Sequence, residues 1–222
     1  MQKLNVLFED NHIIVVEKIV NIPSQADKTG DIDMLTIIKD YIKEKYNKPG
    51  NVYLGLVHRL DRPVGGIMVF AKTSKCASRL SEQVRNRTFK KTYCAIVEGK
   101  VEEKGTLIDK LLKDTKNNIV KVDKNGKESI LDYELMEYNN NMSLVKINLK
   151  TGRSHQIRVQ FSSRGHALYG DQKYNKNAKV GEQIALFANS ITFNHPITKE
   201  KMEFQLKENE NELSSITSIN FI

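Results

Sequence analysis

Several residue types that support particular protein classes are rare or missing from this sequence of 222 residues. Tryptophan is absent, and only two cysteines occur, Cys76 and Cys94, both inside segments that read as regular structure. Two separated cysteines provide neither a disulfide framework nor a four-ligand zinc site, so we expect buried thiols. No apolar run approaches the ~18 residues of a membrane-spanning helix, because Glu9, Asp10 and Glu17 interrupt the hydrophobic start. We therefore expect a cytoplasmic protein without a membrane partner.

Sequence motifs for nucleotide and metal chemistry are missing as well. Neither G-x-x-x-x-G-K-[ST] nor G-x-G-x-x-G occurs, so the usual phosphate-binding loops have no support. The five histidines are scattered without metal-ligand spacing, and no metal site is expected. Ser154 beside His155 is no nucleophile elbow, because adjacent helical side chains do not face one another. We predict instead that Ser154 is the N-cap of a helix.

Positive charge is present in excess and is unevenly distributed. Lysine and arginine number 35 against 27 acidic residues, which gives a formal net charge of +8. From His58 to Lys91 there are nine basic and two acidic residues, whereas residues 203–222 contain four glutamates and one lysine. The excess favours a polyanionic partner, although a lysine-rich composition alone is common in soluble proteins. The positive charge is concentrated around the stretch HRLDRPVGG, which begins at His58.

Alternating and continuous apolar runs predict a series of strands. We expect them at residues 5–8, 13–17, 67–72, 91–99 and 143–150, and in the closing segments IALFANSITFNHP and KMEFQL. The polar, lysine-rich middle, residues 101–141, contains an Asn-Gly pair suited to a tight turn and predicts a peripheral hairpin. Strands and helices alternate without a regular βαβ rhythm. The order therefore predicts an α+β fold with a largely antiparallel sheet.

Three helices are predicted from capping residues followed by apolar periodicity. They begin after Asp33, after Thr73 or Ser74, and after Ser154, and Gly165 is suited to end the third. The expected apolar faces are Leu35, Ile38 and Ile42 in the first helix, Ala77, Leu80 and Val84 in the second, and Ile157 and Phe161 in the third.

The stretch HRLDRPVGG places Asp61 between two arginines on a constrained turn. Pro63 biases Arg62 toward extended geometry, while Gly65 and Gly66 permit a positive φ and the close approach of another backbone. An aspartate among arginines is stabilised in its ionised form, which is the form that acts as a base or nucleophile. The spacing alone favours an ordinary turn aspartate paired with a surface arginine.

Four stretches, taken in order, resemble the RluA-type family of RNA pseudouridine synthases: HRLDRPVGG, IMVFAKTSK, KKTYCAIVEG and LKTGRSHQIRVQFSSRGHALYGDQKY. The similarity runs roughly from Glu9 to Leu206 and leaves 207–222 as an acidic tail. It implies one catalytic domain over residues 1–222, with a bent, mostly antiparallel central sheet flanked by helices and no separate N-terminal RNA-binding domain. It also implies a monomer that converts uridine to pseudouridine in ribosomal (large-subunit) or transfer RNA without metal or organic cofactor.

The resemblance implies roles for individual residues. Asp61 matches the family's essential aspartate, Tyr93 a tyrosine that packs on the target uracil, and Arg158 an arginine that pairs with the aspartate. Arg59 matches an arginine that occupies the space vacated by the flipped base. The other expected RNA contacts are Arg62, Arg153, His155 and Gln156. Without the resemblance, we favour reading Tyr93 as a half-buried strand tyrosine and Arg158 as a phosphate or surface contact.

The expected chemistry begins with Asp61 and leaves two routes open. The carboxylate attacks the anomeric carbon, as in retaining glycosidases, or removes the neighbouring 2′ proton to give a glycal. Two rival functions share the cleft: a non-catalytic RNA-binding or RNA-folding protein, and a hydrolase that releases uracil. A centrally placed carboxylate repels phosphate, so it weighs against binding alone.

Two stretches depart from the family pattern. The motif here ends RPVGG, where many members have Thr-Ser-Gly, which removes hydroxyl groups from the loop. The early stretch EKIVNIPSQAD lacks the glycine and the His-Pro often found after its lysine. We assign this stretch no role from the sequence.

Overall fold

The structure is a computed structural model that describes residues 4–206. These residues form two compact units, one of residues 4–90 with 188–206 and the other of residues 91–187. The acidic tail predicted at 207–222 lies outside the described residues, and the single catalytic domain stays a prediction. No helix in residues 4–206 is long and apolar enough to cross a membrane.

The first unit contains two helices and most of six strands. They are β1 (Val6–Glu9), β2 (Ile13–Lys18), α1 (Met34–Lys45), β3 (Gly55–Leu56), β4 (Gly65–Ala71), α2 (Ser74–Arg85), β10 (Leu186–Asn194) and β11 (Lys201–Gln205). The strand order is β1-β2-β4-β10, with β3 paired to β4 and β11 paired to β10. β2 and β4 are buried along their whole length, as expected for continuous apolar runs at the centre of a sheet.

The second unit contains five strands and one helix. They are β5 (Lys90–Glu98), β6 (Lys104–Asp114), β7 (Ile119–Val122), β8 (Lys127–Asn139), β9 (Met142–Leu149) and α3 (Gln156–Ser162). The order is β5-β9-β8-β6-β7, and each of these neighbouring pairs is antiparallel. Together with the antiparallel pairs of the first unit, this confirms the predicted α+β class with a mostly antiparallel sheet.

The prediction of one peripheral hairpin in residues 101–141 was wrong. This region supplies three strands, and β8 joins them to the unit's main sheet by pairing with β9. The Asn-Gly pair does make a tight turn, because the Gly126 N–H donates to the Asp123 carbonyl. The strands on either side of the turn both pair with β6 rather than with each other. Only glycine fits here, since a Cβ at Gly126 would lie 2.4 Å from the Leu111 backbone.

The first two helices begin where the sequence predicts, but their buried faces differ. Asp33 caps α1 and Thr73 caps α2. The residue at the start of the buried face of α1 is Met34 rather than Leu35, because Met34, Ile38 and Ile42 follow one another at the four-residue spacing.

In α2 the residue that starts the buried face is Cys76, which precedes the buried Leu80 by four positions, and Ala77 is half-buried. Cys94 is half-buried as well, so the prediction of two buried thiols holds for Cys76 alone.

Candidate functional site

Asp61 lies on a tight turn between β3 and β4. The Val64 N–H donates to the Asp61 carbonyl over 3.0 Å, and the Asp61 residue as a whole is half-buried. Gly66, at the start of β4, has a φ of +121°, and a Cβ there would lie 2.3 Å from the Ala188 carbonyl oxygen on β10. The close approach of another backbone expected at these glycines is therefore present at Gly66.

A buried lysine ammonium holds the backbone of this turn. Lys18, at the end of β2, is fully buried, and its Nζ donates to the carbonyl oxygens of Arg62 at 2.9 Å, Val64 at 2.7 Å and Ile19 at 3.1 Å. A charge in this position is stable only when such acceptors replace water. The two bonds to Arg62 and Val64 fix the main chain immediately after Asp61.

Ser24 holds the same loop on the other side of the aspartate. Its hydroxyl donates to the Leu60 carbonyl at 2.8 Å and accepts the Leu60 N–H at 3.1 Å, so one side chain satisfies both backbone groups. Lys18 and Ser24 both belong to the stretch EKIVNIPSQAD, to which the sequence assigned no role. The available signal was the lysine that ends the run IIVVEK, since a lysine continuing a buried strand needs partners.

His58 supports the start of the motif from the interior. It is buried, its ring lies 5.2 Å from the Phe89 ring, and its Nε2 accepts the Val69 N–H over 3.2 Å. Because Nε2 accepts this bond, the ring proton belongs on Nδ1. The histidine therefore ties the motif to the centre of β4.

The two motif arginines have different surroundings. Arg62 donates to Asp31 at 2.7 Å and to the Thr29 hydroxyl at 2.6 Å, and it also pairs with Asp27 at 3.3 Å. Hydrogen bonds from Arg62 and Thr29 lower the pKa of Asp31. Arg59 is exposed and makes no side-chain hydrogen bond or ion pair with residues 4–206. Arg59 is thus the motif arginine whose side chain is open to solvent, while Arg62 is engaged by Asp27, Asp31 and Thr29.

Tyr93 lies on β5 in the second unit and is 6% exposed. In the sheet register it stands opposite Ile147, which in turn stands opposite Tyr133. Residues opposite one another in antiparallel strands point to the same face. Tyr133 packs edge-on against Phe161 of α3, so this is the face of the sheet that α3 covers.

Arg158 is buried on α3 with its guanidinium held by a carboxylate. Its Nε donates to Asp171 Oδ2 at 2.8 Å and its Nη2 to Asp171 Oδ1 at 2.6 Å, the two parallel bonds of a bidentate pair. The guanidinium carbon also lies 5.2 Å from the centroid of the Tyr174 ring. Asp171 and Tyr174 received no role from the sequence, although both lie in the stretch ALYGDQKY that carried part of the resemblance.

The prediction that Ser154 caps α3 was wrong. The N-cap is His155, which has a left-handed φ of 50° and makes no side-chain cap bond. Instead Gln156 closes the preceding turn, since its Oε1 accepts the Arg153 N–H at 3.1 Å and the Thr151 hydroxyl at 2.8 Å. The bond from the Arg153 N–H to Gln156 closes a turn that includes His155, so the N-cap lies one residue later than the sequence predicts.

The three residues expected to contact RNA at this turn differ in access. Arg153 is exposed, with its Nε donating to the Glu128 carbonyl. His155 is buried, with Nδ1 2.6 Å from the Tyr174 hydroxyl. Gln156 is buried, and its amide nitrogen donates to the Ile130 carbonyl and to Gln160. Gln156 is therefore an interior residue that shapes the turn, and its contact with RNA stays a prediction.

Two solved structures share this fold over nearly the whole chain. They are the human RNA pseudouridylate synthase domain containing 4 protein, with a TM-score of 0.80, 18% identity and coverage of 96% of this chain and 92% of that one, and the domain containing 1 protein, with a TM-score of 0.77, 20% identity and coverage of 97% and 88%. At such low identity the likeness shows the fold alone. The fold is that of pseudouridine synthase catalytic domains.

Comparison of the sequence identifies the family. A model described as RNA pseudouridylate synthase matches residues 12–163, and the chain belongs to that family. An uncharacterized RNA pseudouridine synthase of Bacillus subtilis, YhcT, is 35% identical over 89% of this chain and 66% of its own length. Ribosomal large subunit pseudouridine synthase D of Vibrio cholerae is 33% identical over 90% of this chain and 66% of its own length. The chain thus spans about two thirds of these relatives' length, and the resemblance inferred from the motifs is confirmed.

Proposed function

We propose that the protein isomerises uridine to pseudouridine in large-subunit ribosomal RNA, and that Asp61 starts the reaction. The choice of RNA is supported by relatives named as ribosomal large subunit pseudouridine synthases C and D. The observation that carries the role of Asp61 is its position on a turn whose backbone is bonded on both sides by Lys18 and Ser24. Such fixing is expected where a reacting group must keep its aim.

The reaction conserves every atom of the substrate. The bond between ribose C1′ and uracil N1 breaks, the base turns, C1′ bonds to C5, the proton leaves C5 and N1 gains one. Asp61 acts either by attack on C1′ or by removal of the 2′ proton, and both routes require its carboxylate to be ionised. The net change is an isomerisation, which needs no oxidant and no leaving group.

Tyr93 and Arg158 are the other residues that we propose to act. Tyr93 offers an aromatic ring of the kind that stacks on an unpaired base. Arg158 offers a cation that Asp171 holds in place. Arg59 is the exposed cation suited to the space that the flipped base leaves. We expect the protein to act as a monomer, and the two arginines Arg62 and Arg153 to contact phosphates.

The experiment that tests this proposal measures tritium release from large-subunit ribosomal RNA labelled at carbon 5 of uridine. The parent should release tritium, and Asp61→Asn should lose turnover by about 10³-fold because the essential carboxylate is gone. Asp40→Asn, on the exposed face of α1, is the matched control and should keep full activity. A transfer RNA transcript run in parallel tests the second substrate class.

The same experiment separates the rival functions. RNA bound tightly without tritium release would support a non-catalytic RNA-binding protein and contradict the proposal. Free uracil without pseudouridine would support a hydrolase. Full activity of Asp61→Asn would remove the aspartate from the chemistry.

A further inference from the structure

A second basic region lies in the second unit, at the end of β6 and the turns that follow. We call residues 110–127 the lysine tip. They contain six lysines and two acidic residues, Asp114 and Asp123. The tip includes the end of β6, all of β7 and the first residue of β8. None of the four stretches that carry the resemblance includes it.

The sheet register places part of the lysine tip on the same face as Tyr93. Tyr93 stands opposite Ile147, Ile147 opposite Tyr133, and Tyr133 opposite Gly105. Side chains alternate along β6, so every second residue from Gly105 onward, up to Lys113, points to that face. Lys127 stands opposite Leu111 and therefore points to the Tyr93 face as well. Lys113 and Lys127 extend the face that carries the candidate uracil platform.

Some lysines of this sheet have acidic partners and others do not. On the face opposite to Tyr93, Lys104 pairs with Glu134 at 3.0 Å and Lys150 with Asp132 at 2.8 Å, whereas the exposed Lys110 makes no ion pair with residues 4–206. Four further exposed lysines of the tip make no ion pair with residues 4–206 and lie on the Tyr93 face or in the turns, namely Lys113, Lys116, Lys124 and Lys127.

The two acids of the tip are engaged elsewhere. Asp114 accepts hydrogen bonds from the side chain and backbone of Asn117, which lower its pKa. Asp123 accepts the Asn125 N–H and pairs with Lys121. The positive charge of the four exposed lysines is thus not neutralised by these acids.

The lysine tip packs against α3. Leu111 and Val120 pack against Val159 of α3 in one buried cluster, with Tyr174 against it. The Val120 N–H donates to the Tyr174 hydroxyl over 2.9 Å. That tyrosine also contacts His155 and lies under the Arg158 guanidinium. The lysines are therefore presented on the scaffold that holds Arg158.

We propose that Lys113, Lys116, Lys124 and Lys127 bind phosphates of the RNA substrate at a distance from the target uridine. Eight residues of β6 separate Gly105 from Lys113, or about 26 Å at ~3.3 Å per residue. The contact is therefore with RNA several nucleotides away from the base bound at Tyr93. The distance between the tip and the reacting base rests on the proposed function, because that function places the base at Tyr93. Binding of RNA by the tip does not depend on it.

Charge and shape favour RNA over a protein partner. A protein interface needs a contiguous apolar centre, and on the face of Lys113 and Lys127 the tip exposes only Val122 among its large apolar residues. The exposed Ile108, Leu112 and Ile119 point to the opposite face. Unpaired lysines around turns are instead suited to phosphates.

The test measures binding of poly(U) over a range of salt concentrations. A variant with Lys113, Lys116, Lys124 and Lys127 changed to Gln is measured beside a control with Lys28, Lys43, Lys48 and Lys179 changed to Gln, which removes equal charge from exposed positions elsewhere. Each lost phosphate contact lowers the slope of log affinity against log salt by about 0.7 for single strands, so four contacts lower it by about 3. The tip variant should show this loss on poly(U), and the control variant should show a smaller one.

Two results would overturn the inference: equal slopes for the tip and control variants on poly(U), or an unchanged slope for the tip variant. Binding to poly(U) requires no turnover, so these results are separate from failure of the proposed function, which appears as absent tritium release by the parent. Where the parent is active on ribosomal RNA, the tip variant should raise KM and leave kcat unchanged. A fall in kcat alone would contradict the assignment of the tip to RNA binding.

Discussion

The Asp61 turn of the first unit and the Arg158 segment of the second are both held by buried polar groups, but at different atoms. Lys18 and Ser24 bind backbone groups of the turn, whereas Asp171 binds the guanidinium itself. Aspartate is short, so a fixed main chain already sets the position of its carboxylate. Arginine has several rotatable bonds, so its head group must be held directly.

The largest effect is expected from changing the partner of Arg158. Asp171→Asn preserves the shape but removes the charge, and leaves a buried guanidinium uncompensated. We expect the free energy of unfolding to fall by about 3–5 kcal/mol, measured by urea unfolding. The control is Asp109→Asn, because its partner Arg164 is 35% exposed and such a pair contributes about 1 kcal/mol or less.

The two variants also test whether Asp171 positions Arg158 for activity. At a temperature where both variants remain folded, Asp171→Asn should lower kcat while Asp109→Asn does not. Equal losses of stability in the two variants, with unchanged kcat, would show that Asp171 does no more for Arg158 than Asp109 does for the partly exposed Arg164.

A smaller effect is expected from removing the lysine beneath the Asp61 turn. Lys18→Met retains the length of the side chain but leaves the carbonyls of Ile19, Arg62 and Val64 without the ammonium. Unfolding should become easier by about 3 kcal/mol, since a buried acceptor without its donor costs about 1–3 kcal/mol.

Because Lys18 acts through the backbone, the loss of activity in Lys18→Met should appear in kcat at saturating RNA, with KM little changed. Lys201→Met, at an exposed position of β11, is the control for loss of one positive charge. An unchanged kcat in the folded Lys18→Met protein would mean that the turn keeps its geometry without the ammonium.

An ion cluster around the buried Glu9 side chain stabilises the first unit away from Asp61. Its removal is expected to have the smallest effect. Burial alone would raise the pKa of Glu9, but hydrogen bonds from Lys45, Lys72 and Tyr46 outweigh it and lower the pKa to about 2. The folded pKa is thus below the ordinary value of 4.5, so the stabilisation is complete above that value and is lost as pH falls from 4.5 to 2. The fall from 4.5 to about 2 corresponds to about 3.5 kcal/mol at about 1.4 kcal/mol per pKa unit, and solvent screening at Lys45, whose side chain is 44% exposed, reduces it to about 2–3 kcal/mol.

Glu9→Gln should therefore lower stability at pH 7 and flatten its decline below pH 4.5, as measured by urea unfolding across that range. Turnover at neutral pH should be unchanged, in contrast to Lys18→Met and Asp171→Asn. A decline in acid as steep as that of the parent would exclude Glu9 as the source.

The parts of this molecule that the sequence predicted well depend on neighbouring residues. The caps Asp33 and Thr73 bond to backbone groups two or three positions away, and β2 and β4 appear as continuous apolar runs. The catalytic candidates came from family motifs rather than from periodicity. What the sequence missed depends on partners far along the chain: Lys18 binds a carbonyl 46 positions away, and Ser24 one that is 36 positions away.

The errors have similar physical causes. Ser154 has the side chain of a typical cap, but Gln156 accepts the Arg153 N–H, and the left-handed His155 is the N-cap. The three strands between residues 101 and 141 were predicted as one hairpin. Apart from Gly126, nothing in this part of the sequence indicates that β7 and β8 pair with opposite edges of β6. Side-chain partners and strand order both require the tertiary structure.

The burial of Lys18 also makes this residue a chemical reporter of the Asp61 turn. Its amine is enclosed and bonded to three carbonyls, so an acylating reagent reaches it only when the loop opens. Exposed lysines such as Lys43 react at the rate of free amines. After brief exposure of the folded protein to the reagent, mass spectrometry gives the ratio of acylation at Lys18 to acylation at Lys43. This ratio reports the fraction of time for which the Asp61 turn is detached from Lys18.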